Sequence, residues 1–225
     1  MNKDKLVLLL LLLLLEPTTT TTTPRPYIMS SWIKQELYGG AITTVIPKTF
    51  LDASMLRQVP DTQEVFVNSR RTDEPTSDNL GFNESIIVDL LQRVDETDDR
   101  KALEVHLEEV TSLDESSGHT IVTYNQQDNW QSCVAVETAY KWGKESLKET
   151  VVLCLGLLRL AEFETDVLIS VLVPISSDDE AEHSAMEHAA STKSSDALPP
   201  RVVAAYGLLQ DMMKAFKVED PSLFA

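Results

Sequence analysis

Two acids stand three residues apart in the stretch Val59-Pro60-Asp61-Thr62-Gln63-Glu64-Val65-Phe66-Val67. Paired carboxylates perform general acid–base chemistry when a pocket holds them around a substrate. On an open surface they steer and orient a basic partner instead. Here Pro60 stiffens the approach and a β-branched and aromatic run follows, so Asp61 and Glu64 fall at the entry of a strand, flanked by apolar residues. From residue physics alone the simpler account is a capping Asp and a solvated strand Glu. Tyr140-Lys141-Trp142-Gly143-Lys144 is a second notable spot, at a strand end, and a core aromatic followed by a turn explains it.

The other candidates for chemistry are weaker. His183 and His188 are five residues apart, which splits them across a helix face and misses metal-ligand spacing by one residue. His106 falls in an amphipathic stretch and His119 follows Gly118; neither has a Cys or second His at ligand spacing, so both read as surface or packing residues. Gly143-Lys144-Glu145 lacks the preceding glycine and the hydroxyl of a phosphate loop, and no GxSxG elbow occurs. Cys133 and Cys154 sit in apolar surroundings outside any CxxC, which favours buried thiols over a disulfide or metal pair. No catalytic residue, metal site or cofactor is therefore expected. Asn83-Glu84-Ser85 is a glycosylation sequon only in a secreted chain; as a helix cap Asn83 needs no such role.

The elements that must carry these residues read as a mixture. Leu37 to Ile42 predicts a hairpin closed by Gly39-Gly40, which supply the positive φ angles of a two-residue turn. Strands follow over Ala41–Ile46 and Glu64–Val67, with a helical turn at Asp52-Ala53-Ser54 between them. Arg70 to Gly81 is polar and predicts a surface loop. Ile86, Ile87, Leu90, Leu91 and Val94 share a helical face behind Asn83, and Leu103, Leu107 and Val110 define a second helix with Glu104, Glu108 and Glu109 outward. Strands then begin near Gly118, Cys133 and Thr150, and another alternates from Val167 to Val173, where Pro174 ends it. Val151 to Leu155 is apolar without alternation, as in a strand covered on both faces. Val202, Tyr206, Leu209, Met213 and Phe216 form the apolar stripe of a last helix opened by Pro199-Pro200. The fold class is α+β: a twisted, largely antiparallel sheet sandwiched between helices.

Charge and ends bound the function. The chain has 225 residues and a formal net charge of −17. Lys3, Lys5 and Arg25 against Asp4 and Glu16 give the first 28 residues a net of +1, leaving −18 on the rest. Such a body repels nucleic-acid phosphates and anionic lipids and suits a basic partner, although solubility alone also accounts for acidity. Lys3 and Lys5 before Leu6–Leu15 imitate a signal peptide, but the run is about half the ~20 residues of a spanning helix and no small-x-small cleavage site follows. Residues 1–28 are expected to be a low-complexity leader, disordered or foreign to the natural protein, with Met29 as the natural start. Residues 29–225 are expected to form a single domain. Within it, the Ser-, Asp- and His-rich stretch 176–197 reads as an acidic loop that forms a frayed helix around Glu180 to Ala190 or nothing stable.

Five stretches together resemble the Ran guanine nucleotide release factor family, the Mog proteins. They are ELYGGAITTVIPKTFLDASMLRQVPDTQEVFVNSRR (Glu36–Arg71), NESIIVDLLQRVD, YKWGK, RLAEFETDVLISVLVP and the terminal PSLFA. The resemblance implies a fold shared with PsbP-like proteins, binding to the GTPase Ran, promotion of GTP release, support of nuclear import, and location in nucleus and cytoplasm. With the acidity of the body, the expected partner is Ran, with neither nucleic acid nor membrane, and the chain is expected to be a monomer. The family's acidic Ran-binding patch falls on Asp61 and Glu64. A PsbP-like accessory subunit of a membrane-associated complex is the alternative, and an enzyme using the acidic cluster is a further one.

Overall fold

The computed structural model describes residues 32–71, 73, 77–112, 118–140, 148–176 and 178–225. The leader and Lys141–Lys144 lie outside them. Among the described residues ten strands form two sheets. The larger has seven strands, all neighbours antiparallel, in the order β3-β4-β5-β9-β8-β7-β6. These are β3 (Phe50–Asp52), β4 (Gln63–Asn68), β5 (Ser85–Gln92), β6 (His119–Gln126), β7 (Gln131–Tyr140), β8 (Lys148–Leu160) and β9 (Thr165–Ile175). The smaller sheet joins β1 (Trp32–Leu37), β2 (Ile42–Pro47) and β10 (Lys217–Val218). The single sheet expected from the sequence is thus two.

Helices cover both faces of the large sheet. Helix α1 (Asp99–Ser112) buries Leu103 and Leu107 against Val65, Ile87, Leu153 and Leu168 on one face. On the other, α3 (Pro200–Ala215) buries Val202, Leu209 and Met213 against Phe66, Ile86, Val152 and Ile169, and the small sheet extends that layer through Leu37, Ile42 and Ile46. The helix lies so close to β8 that a Cβ on Gly156 would come within 2.7 Å of the Met213 sulfur. The thiols are buried as expected but on opposite faces, Cys133 in the α1 layer and Cys154 in the α3 layer.

Several expectations are revised, each for a physical reason. The helix behind Asn83 is strand β5. Its run SIIVDLL alternates between two covered faces, Ile86 and Val88 in one layer and Ile87 in the other, and so satisfies the helical spacing by being apolar throughout. Asn83 caps nothing; its amide oxygen accepts from Arg201. Of the two outcomes expected for 176–197, a frayed helix or nothing stable, the helix is the one found: α2 spans Glu180–Thr192. Asp179 caps it by accepting the Glu182 amide, and Met186 and Ala189 dock into the α3 layer, which secures a helix of modest amphipathicity. The polar segment after Arg70 is also anchored inward. Arg70 and Asp78 form a buried ion pair, and Leu80 joins the core. Strand β9 also runs through Pro174 to Ile175; β5 accompanies it only as far as Leu172, so the proline stands where one ladder has already ended.

Candidate functional site

Asp61 and Glu64 lie at one corner, where the small sheet meets the start of β4. The Gln63 amide donates to the Pro60 carbonyl and closes the turn that carries Asp61, which is exposed. Glu64 is half-buried one step into β4. Strand alternation puts it on the same face as Phe66, and Asp52 opposite Phe66 on β3 raises the local negative potential. Burial pushes the Glu64 carboxyl above the usual range; the hydrogen bond from the Tyr38 amide pulls the other way, and the charge of Asp52 adds to the rise. The sequence pair is therefore brought to one corner in two unlike settings, one acid free and one engaged.

The engaged partner is Tyr38, which lies within the hairpin predicted over Leu37 to Ile42. The hairpin between β1 and β2 does form, with Leu37 opposite Ile42, but its loop has four residues, and φ is positive at Tyr38 (50°), Gly39 (66°) and Gly40 (93°). A left-handed tyrosine is uncommon and must be held by its surroundings. The Tyr38 main-chain N–H donates to Glu64 Oε1 at 2.6 Å. Its hydroxyl reaches the carbonyls of Val88 (2.9 Å) and Thr62 (3.1 Å). Burial, then the charges of Asp89 and Glu64, raise the phenol's pKa strongly, so it remains a donor at any ordinary pH. A tyrosine placed immediately before Gly-Gly is the signal that could have exposed this.

Chemically the corner offers charge and shape. Among the described residues neither Asp61 nor Glu64 has a cation within ion-pair distance. The two acids do not line the cleft of about 470 Å³ between α1 and β6, whose walls include Arg100, Glu104, His119, Tyr124 and Lys193. Among the described residues no group of three His, Cys, Asp or Glu is placed to hold a metal ion, and no helix is long and apolar enough to cross a membrane.

The histidines are dispersed. His183 and His188 sit on α2, half-buried and exposed respectively. His119 Nδ1 is 3.1 Å from the Thr111 hydroxyl. His106 is the surprise, being 1% exposed with Nε2 2.9 Å from Asp166 Oδ2. Arg159 reaches the other Asp166 oxygen at 3.2 Å and also donates to the carbonyls of Val94 and Glu96. Burial pushes the Asp166 carboxyl up, but hydrogen bonds from His106, the Val94 amide and Arg159, with the arginine charge, hold it below the usual range.

Residues 35–174, which include this corner, match a family model described as Ran-interacting Mog1 protein. The chain belongs to that family. Nuclear import protein MOG1 of Saccharomyces cerevisiae is 48% identical over 195 residues, 84% of either chain. The Ran guanine nucleotide release factor of Danio rerio is 30% identical over 155 residues, 64% of this chain and 79% of its own. The crystal structure of the Saccharomyces cerevisiae Ran-binding protein Mog1p superposes with a TM-score of 0.76 at 46% identity, covering 87% of this chain and all of the other. The Mog1 family match ends at Pro174, whereas the corner with Asp61 and Glu64 lies well inside it.

Proposed function

We propose that this chain binds Ran, promotes release of its guanine nucleotide and so supports nuclear protein import, acting by binding and not by making or breaking a bond. The observation that carries the reading is an exposed acid, Asp61, beside Glu64 at a corner with no neutralising cation among the described residues, inside the span matched by a Ran-interacting family. Opposite charge speeds encounter with a basic face of Ran and fixes orientation more than it adds affinity. Preference for Ran with its nucleotide loosened then drives release by linkage, since a ligand moves an equilibrium only through differential affinity. In this reading residues 29–225 act as one monomeric domain in nucleus and cytoplasm, without a membrane or nucleic-acid partner.

The test is binding to Ran loaded with GTP, loaded with GDP and stripped of nucleotide, each at two salt concentrations, alongside the rate of nucleotide loss. Tightest binding to stripped Ran, weakened by salt, with accelerated nucleotide loss, is the expected result. Equal affinity for all three forms would overturn the release mechanism. Binding indifferent both to salt and to Asp61→Lys would overturn the site.

A further inference from the structure

The geometry divides the labour between the two acids. Glu64 already spends one carboxylate oxygen on the Tyr38 amide, and Tyr38 spends its hydroxyl on the carbonyls of Thr62 and Val88. Thr62 is the neighbour of Asp61. A single side chain thus ties three pieces together: the β1–β2 hairpin tip, the turn that presents Asp61, and β5 at Val88, the residue paired with Glu64. Tyr38 holds φ at 50° to do so, a conformation that relaxes unless it is held from both ends. Beyond Tyr38 the tip is open, with nothing near a Cβ built on Gly39.

We infer that Glu64 and Tyr38 are positioning residues. They form a clamp that fixes the hairpin tip beside the Asp61 turn, so that tip and turn together make the Ran-docking surface, while Asp61 supplies the charge that Ran meets. This rests on the reading of the corner as the Ran site and goes beyond it by assigning Tyr38, the tip and a different role to Glu64. Preorganisation is the physical gain, because a loop fixed before docking need not be ordered during it.

Four variants separate the roles, with Ran affinity measured across a salt series. Glu64→Gln keeps an oxygen that accepts the Tyr38 amide but removes the charge; it is expected to bind within about twofold of the native chain with the same salt slope. Glu64→Ala and Tyr38→Phe each break one side of the clamp, and each is expected to weaken binding about fivefold with the slope unchanged. In Glu64→Ala, amide hydrogen exchange at Tyr38 should accelerate about tenfold, the sign that the tip has come loose. Asp61→Asn should weaken binding and flatten the slope. The inference is overturned if Glu64→Gln behaves like Asp61→Asn, since Glu64 would then be a charge contact itself. It is equally overturned if Tyr38 exchange accelerates while Glu64→Ala and Tyr38→Phe bind as the native chain does. If Asp61→Asn changes neither affinity nor slope, the broader placement of the Ran site fails, and the clamp's role with it.

Discussion

Two carboxylate clusters at different places in the sheet use the same chemistry to opposite ends. Around Asp166 every acid oxygen is answered: His106 and the Val94 amide meet one, Arg159 the other, and the aspartate is fully buried. At the β4 corner Asp52, Asp61 and Glu64 gather with no cation in reach among the described residues, and one of them stands in solvent. A saturated cluster has nothing left to offer a partner and serves the fold. An unsaturated one costs the fold some self-repulsion and keeps its charge for another surface.

The contrast is broken most forcefully from the buried side. Asp166→Ala leaves His106 and Arg159 without their shared partner, and unfolding in urea is expected to show a loss of about 3–5 kcal/mol. The fraction that remains folded should bind Ran normally. The converse is Asp61→Lys, whose stability should stay within about 0.5 kcal/mol of native. Its Ran affinity should fall about tenfold, or ~1.4 kcal/mol, by calorimetric titration.

Acidity sharpens the comparison because the two clusters carry opposite signs. Asp166 lies below its ordinary 3.8, so the stability it contributes is present above that value and is lost as pH falls through its lower folded value. Glu64 lies above its ordinary 4.5, so its contribution is present below 4.5 and is lost as pH rises through its raised folded value. Urea unfolding against pH should therefore show Asp166→Asn flattening the limb below pH 3.8 and Glu64→Gln flattening the limb just above 4.5. The smallest effect belongs to a pair that is neither buried nor unanswered. Arg100 and Glu104 lie one turn apart on α1, largely in solvent, and Glu104→Gln should cost only about 0.3–0.5 kcal/mol by the same unfolding measurement.

Legibility in the sequence followed the same division. Strands β4 and β9 and the stripe of α3 were readable because β-branched runs, alternation and helical spacing mark them locally, although β9 runs past the Pro174 expected to end it. Strand β5 was not: a segment covered on both faces carries no periodicity of its own, and Ile86, Ile87, Leu90 and Leu91 fit a helix by default. Helix α2 was half legible: a frayed helix around Glu180 to Ala190 could be expected, but Met186 and Ala189 give it too short an apolar stripe to decide the matter before the core receives it. Asp61 and Glu64 could be found, but their inequality could not. It depends on Tyr38, 26 residues from Glu64 in the chain, and on a backbone angle that no side-chain pattern encodes. The buried role of His106 was likewise invisible, because Asp166 lies 60 residues away.

The placement of the two thiols has a practical consequence. Cys133 and Cys154 belong to adjacent strands yet look into different apolar layers, and burial raises the pKa of both, that of Cys133 to about 12. Neither can be alkylated while its own layer stays shut. Timed labelling followed by mass spectrometry of the unaltered chain would thus clock the opening of the α1 side and the α3 side separately. Simultaneous labelling would mark a sheet that opens as one cooperative unit, and staggered labelling would name the side that yields first.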